Sequence, residues 1–316
     1  MALPAILEGR LRLPAIAAPM FLTSGPDLVV EACRSGIVGT FPALNQRTSD
    51  GFVDWLRTIE QRLTAYRLAA PYGVNLIVHK SNARMTADLD IIAKHKVPLV
   101  ITSLGVVQDV VDTVHSYGGV IFHDVVNRRH AEKAAEAGVD GIVAVCAGAG
   151  GHAGALSPFA LIEEIRSFYS GTIILSGAMS TGRHVATARM MGADLAYLGS
   201  RFLATRESLA DPDCKRMVVE SRSADVIYTP NISGVPASFM RPSLVAAGLD
   251  PENLPSHREL ATKTEKKAFK SIWSAGQGIG AIRDIPGTAE LCERMIAEYR
   301  TAIGEAMQDP FIAGKS

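Results

Sequence analysis

"GVIFHDVVNRRHAEKAAEAGVDGIVAVC", residues 119–146, is the stretch on which the fold turns. It opens on a short apolar, β-branched run, GVIFH (119–123), and closes on another, GIVAVC (141–146). Neither alternates apolar with polar residues, as a strand with one wet face would. Both suit strands buried on two faces of a parallel sheet. Between them, RRHAEKAAEAG (128–138) sets apolar and charged residues at helical spacing and ends on Gly138, the residue type that closes a helix.

The same pattern recurs outward in both directions. PAIAA (14–18), IVGTF (37–41), YGVNL (72–76), PLVIT (98–102), TIILSG (172–177) and LAYLGS (195–200) bring the buried runs to eight. TADLDIIAKHK and STGRHVATARMMGA fill two of the gaps with helical patterns, the second with Ser180 or Thr181 as N-cap and Gly192 after its last turn. Eight strands alternating with helices predict an α/β chain closed as a (β/α)8 TIM barrel. An open doubly wound sheet is the alternative. It wants a glycine-rich turn after the first strand, where APMFLTSGPDL lacks the GxGxxG spacing.

These runs divide the chain. Residues 1–204 form the barrel and cofactor-binding domain. Residues 205–270 are more polar and carry the turn signals ADPD, TPNISGVP, MRPS and GLDPENLPSHRE, so a mostly helical insertion or substrate lid is expected there. Residues 271–316 comprise a glycine-rich return over the active site, WSAGQGIGAIRDIPG (273–287), a final amphipathic helix, TAELCERMIAEYRTAIGEAM, and the loosely held tail QDPFIAGKS.

Composition narrows the function. The chain has 316 residues, 47% hydrophobic and 20% charged, enough to bury a large core. Lys+Arg and Asp+Glu both count 32, so no basic excess points to nucleic acid. Cys33, Cys146, Cys214 and Cys292 are scattered without a CxxC pair and read as buried free thiols of a reducing compartment. No His, Asp, Glu or Cys set has metal-ligand spacing, and no metal is expected. No run of ~18 apolar residues predicts a membrane span. MALPAILEGRLRLP has no secretory character, so a cytoplasmic location is expected.

In such a barrel the site lies at the C-terminal strand ends, with phosphate held by the loops after the seventh and eighth strands. Those loops bring Ser176, Gly177 and Ala178, then Gly199 and Ser200. Small residues let backbone N–H groups approach an anion, and a helix starting near Ser180 adds its dipole. Ala18, Pro19 and Met20 end the first strand, Asn75 the third, Thr102 and Ser103 the fourth, His123 and Asp124 the fifth. A flat heterocycle across this mouth, with its phosphate between strands seven and eight, describes a flavin mononucleotide (FMN) site. The sixth strand leads into CAGAGGHAG (146–154), one imidazole among glycines and alanines. There Ala149, Gly150 and Gly151 let the backbone pass close to a bound ring, and His152 projects toward it. His95, His115, His130 and His184 lie in helical stretches and read as solvated. His79, just after strand three, could border the pocket and suits the surface at least as well, and a rim hydrogen bond for His123 weighs equally with a ligand contact.

APM after strand one, GVN on strand three, AGVDGIV into AGAGGHAG, then SGAMSTG, GSRF and WSAGQG resemble the nitronate monooxygenase family, formerly the 2-nitropropane dioxygenases. The resemblance covers nearly the whole chain in order. It implies an FMN-dependent barrel oxidoreductase that converts alkyl nitronates or nitroalkanes and O2 to a carbonyl compound and nitrite. His152 matches the base or substrate-orienting group. Ala18, Pro19, Met20 and Asn75 match flavin contacts, and Ser176, Gly177, Ala178, Gly199 and Ser200 the phosphate cradle. Ser274 and Gln277 match the late loop folding over the site, Ser274 on the substrate side with His123. Two departures stand out: Ala17 where many members carry Gln, and Asp124 where some carry Lys.

Two other activities fit the sequence. An NAD(P)H-dependent quinone or enoyl-ACP reductase uses the same flavin barrel; Lys80 and Arg84 could meet its nucleotide, though solvated charges are the plainer reading. A flavin-free isomerase or lyase of a phosphorylated metabolite would need only the phosphate cradle. PASFMRP (236–242) reads equally as substrate lining or as a homodimer contact.

Overall fold

The computed structural model describes residues 3–79, 81–105, 108–263 and 271–311. Each of the eight buried runs becomes a strand: β1 (Ala15–Ala17), β2 (Val38–Pro42), β3 (Tyr72–Ile77), β4 (Leu99–Ser103), β5 (Val120–Val125) and β6 (Gly141–Val145). After a two-residue strand outside the barrel, β7 (Gly151–His152), come β8 (Thr172–Ser176) and β9 (Leu195–Leu198). The order β1-β2-β3-β4-β5-β6-β8-β9 closes on itself, all neighbours parallel.

Helices fill the connections: α1 (Pro26–Arg34), α2 (Ser49–Leu63), α3 (Met85–Lys94), α4 (Gln108–Ser116), α5 (Arg128–Glu136), α6 (Pro158–Arg166) and α7 (Gly182–Met190). Their ends follow the sequence signals. Gly138 takes φ +78° beyond α5, Gly192 takes φ +96° beyond α7, and the Thr181 hydroxyl accepts the His184 N–H to cap α7.

Alternate residues of each strand go to different cores, which is why the runs are apolar throughout. Val100, Ile121, Ile142, Ile173 and Leu198 face the helices. Ile16, Val38, Leu99, Phe122, Val143, Ile174 and Leu195 fill the barrel, and Leu7 and its neighbours Leu3, Ile6 and Leu11 pack against that interior set.

After β9 follow α8 (Ser200–Leu203), α9 (Pro212–Glu220), β10 (Val226–Thr229), β11 (Ala237–Met240), α10 (Arg241–Ala246), α11 (His257–Lys263) and α12 (Thr288–Met307). The helices expected in 205–270 are present, but the segment also holds β10 and β11. Antiparallel to each other, they extend to β7 in the order β10-β11-β7. VIYT and ASFM are too short to announce themselves as strands, and it is the pairing that makes them so. Ile232, Ala237, Phe239, Leu244 and Leu260 form a small core of their own beneath this sheet. α12 packs against α7 and α1, completing the outer ring. Among the described residues no helix is long and apolar enough to cross a membrane, and the four cysteines are buried free thiols.

Candidate active site

Alternation along the strands fixes what lines the mouth. Leu99 and Ile101 point inward, so Ser103 does as well; Phe122 brings Asp124 with it, Ile174 brings Ser176, and Leu195 brings Tyr197. Val74 and Leu76 face the helices, which turns Asn75 inward. The last inward layer is therefore largely polar above an apolar interior. Asn75 Nδ2 donates to Ile101 O at 3.1 Å and to Ser103 Oγ at 2.8 Å, and Ser103 Oγ donates to Asp124 Oδ2 at 2.6 Å. Burial pushes the Asp124 carboxyl up to about 6 against the pull of the Ser103 bond. Burial, and then the Asp124 charge, push the Tyr197 phenol far above its ordinary value.

The same alternation corrects one expectation. His123 lies between Phe122 and Asp124 and faces the helix layer, buried, with Nδ1 at 2.8 Å from Thr102 Oγ1. Burial, helped by His130, pushes it down to about 4, so it is a neutral structural histidine and not a substrate contact.

Opposite, three loops are tied together by one carbonyl. Gly148 O accepts from Ala178 N at 3.2 Å and from Gln277 N at 2.9 Å. Gly276 N donates to Ser200 Oγ at 2.8 Å, and Ser180 Oγ donates to Gly278 O at 2.8 Å. The Gln277 end of the return loop thus reaches the predicted cradle. Gly177 at φ +145° and Ala178 at φ +52° bend the backbone after β8, the second at a cost a non-glycine residue seldom bears away from a site.

Gly150 has a different reason from the one expected. A Cβ there would lie 2.7 Å from Gly276 N, so its bareness admits the return loop and not a ring. Gly151, at φ +69°, faces open space. The dipole expected from α7 is likewise already engaged. Glu298 accepts the Gly182 N–H at 2.7 Å, while Thr181 and the His184 ring take those nearby. The N–H groups of Gly177, Gly199 and Ser200 have no acceptor among the described residues, and a Cβ on Gly199 would have only Met20 and Ala18, at 3.8 Å or more. Bare donors, with room for a Cβ at Gly199, and with Ala18 N bonded to Leu198 O at 2.9 Å and Met20 N to Ser24 Oγ at 2.9 Å, fit a phosphate-bearing cofactor.

His152 follows β6 and so stands at the mouth, paired through β7 with Ala237 of β11. No described residue bonds its ring, and burial alone lowers its pKa. Ser274, expected on the substrate side, is a clamp: it accepts from Gly151 N at 2.7 Å and donates to Ser238 O at 2.5 Å. Tyr228 OH adds a bond to Ala153 O at 2.8 Å. β10 and β11 thereby hold the histidine loop, through contacts that no sequence motif announced.

The other described histidines, and Arg84, lie away from this layer. His95 and His184 are not solvated as expected. His95 Nδ1 meets Glu60 Oε1 at 3.1 Å, and His184 Nδ1 accepts the Ser180 N–H at 3.0 Å, with burial lowering its pKa. His115 pairs with Asp140 at 2.9 Å. His79 is exposed beside Ser81, Arg84 is committed to Asp88 at 2.7 Å, and Lys80 lies outside the described residues.

A closed parallel barrel with unpaired N–H groups and a histidine at its mouth has the frame of a barrel enzyme. The nitronate monooxygenase family model matches residues 81–298, and the chain belongs to that family of flavin-dependent oxidoreductases. A nitronate monooxygenase of Paraburkholderia phytofirmans is 25% identical over 348 residues, spanning 93% of this chain and 94% of that protein. Against two other curated relatives the matches span 63% and 64% of their length. Among solved structures, FabK of Thermotoga maritima superposes with a TM-score of 0.82 at 22% identity, over 96% of this chain and 97% of that one. A nitroalkane oxidase of Streptomyces ansochromogenes does so with a TM-score of 0.82 at 22% identity, over 96% and 100%.

Proposed function

We propose that this protein is an FMN-dependent oxidoreductase that oxidises alkyl nitronates, or the nitroalkanes that give rise to them, with O2. The observation that carries the reading is the His152 ring, unbonded at a barrel mouth whose opposite loops offer free N–H groups. The N–H groups of Gly177, Gly199 and Ser200 would hold the phosphate of FMN, and Ala18, Pro19, Met20 and Asn75 would border its ring. When bound, the flavin supplies the electron-transfer chemistry that no side chain provides.

This chain's residues do the rest. Burial lowers the pKa of His152 and so favours its neutral form, in which one ring nitrogen can accept the α-proton of a nitroalkane. For a nitronate already ionised, the same ring orients the anion. β7 and β11 hold it there, and the return loop at Gly276 and Gln277 narrows access for water.

The test is the visible spectrum of the purified protein under anaerobic conditions, before and after an alkyl nitronate is added. A yellow flavin band that bleaches with nitronate supports the reading. Bleaching with NADH alone would replace it by a reductase of the same barrel. A protein that stays colourless after FMN is supplied would overturn it.

A further inference from the structure

Asp124 and Tyr197 have no part in the chemistry above, yet both stand on the innermost polar layer of the mouth. Each carries a sealed polar atom with no hydrogen-bond partner among the described residues, Oδ1 of Asp124 and the phenol oxygen of Tyr197. They stand on β5 and β9, separated by β6 and β8, so as inward residues they oppose each other across the barrel floor. Sealed polar atoms of this kind are costly, and native proteins keep few without a ligand or water to take them.

The neighbours of Asp124 dictate where its proton sits. Asn75 Nδ2 is a donor, so Ser103 Oγ must accept from it at 2.8 Å. The single hydroxyl proton of Ser103 then goes to Asp124 Oδ2 at 2.6 Å. With Oδ2 held as an acceptor, the proton of a neutral Asp124 is confined to Oδ1, the unpartnered oxygen.

We propose that Asp124 is the floor contact of the bound flavin ring, donating a hydrogen bond through Oδ1–H when protonated and setting a negative charge beneath the ring when ionised. Tyr197 is the fixed hydroxyl opposite. The inference rests on the flavin reading above. Burial brings the change of state to about pH 6. The inward residues facing Asp124 are Asn75 on β3, Ser103 on β4, Val145 on β6, Ser176 on β8 and Tyr197 on β9, none of them charged there. No charged side chain among the described residues acts on the Asp124 carboxyl. His123 points the other way and is neutral above about pH 4.

A charge under the ring opposes the negative charge that reduction brings, so it weakens binding of reduced FMN more than of oxidised FMN. The experiment measures anaerobic dissociation constants of both forms for the wild type and Asp124→Asn at pH 5 and pH 8. At pH 5 both proteins carry a neutral group, and the ratio of the two constants agrees within about twofold. At pH 8 the wild type favours oxidised FMN over the variant by about tenfold. The same ratio in both proteins at both pH values, with FMN bound, overturns this inference alone; failure of both proteins to bind FMN overturns the flavin reading with it. Should the variant not fold, the wild type decides. The infrared band of its buried protonated carboxyl at pH 5 shifts when oxidised FMN binds, and a band that does not move rules the contact out.

Discussion

After β8 and β9 the barrel mouth is made of backbone: Gly177, Gly199 and Ser200 present N–H groups, Ala178 gives its own to Gly148 O, and none of them carries a titratable side chain. After β3, β4 and β5 it is made of side chains: Asn75, Ser103 and Asp124 bonded in a row. The backbone half, with its bare N–H groups, suits an anion and offers nothing that pH can alter. The side-chain half has one group that can change charge. Such a division lets a family keep its cofactor while its chemistry drifts, since an exchange at Asp124 leaves the cradle untouched.

The sharpest way to break this contrast is to put a charge into the backbone half. Gly199 has room for a side chain, so Gly199→Asp should fold normally while aiming a carboxylate into the cradle. Opposing like charges cost several kcal/mol, so FMN affinity should fall by about a thousandfold by titration, with unchanged circular dichroism. Retained FMN binding would move the phosphate elsewhere. Next in size is His152→Ala. FMN should bind as before while nitronate or nitroalkane turnover falls about a hundredfold or more. Burial lowers the pKa of His152 from its ordinary value, so its base form persists to lower pH than that of a free imidazole. Nitroalkane turnover should therefore drop only at that lower pH, and a loss centred above pH 7 would point to another base.

Asp124→Asn tests the side-chain half without any ligand. The folded carboxyl titrates at about 6 against the ordinary 3.8, so folding disfavours its ionised form. That penalty is absent below about pH 4, grows between about 4 and 6, and is complete above. The variant should accordingly be more stable than the wild type by on the order of 1–3 kcal/mol at pH 8, and close to it at pH 4. Urea unfolding of the apoprotein at the two pH values reads the difference. A gain that is equal at both would show that Asp124 is not a buried acid.

The barrel was legible because each strand is buried on both faces and leaves an unbroken apolar run, and because Gly138, Gly192 and Thr181 mark helix ends. The bare N–H groups after β8 and β9 were legible through Gly177 and Gly199. His123 was misplaced because strand ends were taken as pointing to the mouth, whereas alternation sends Asp124 inward and His123 outward. The same count applied to LAYL would have found Tyr197. Nothing local could have found the role of Ser274, because its partners, Gly151 and Ser238, lie far away in sequence and meet only when β11 pairs with β7.

Ser274 also marks where the two halves depend on a third region. Its hydroxyl accepts from the histidine loop and donates to β11, so it fastens the small sheet to the barrel at the residue before His152. If the lid merely covered the mouth, losing this clamp would alter substrate entry and leave the chemical step alone. If instead it aims the imidazole, the loss should appear in kcat. Ser274→Ala leaves two partly buried backbone groups unpaired, at a stability cost of about 1–2 kcal/mol. The cradle does not use the hydroxyl, so FMN affinity should hold, and small misplacement of a base is felt mainly in the chemical step. The expected outcome is a several-fold lower kcat with KM and FMN binding nearly unchanged, and Ser274→Thr, which keeps the hydroxyl, should restore most of it. A change in KM alone would make residues 205–270 a cover and not part of the catalytic frame.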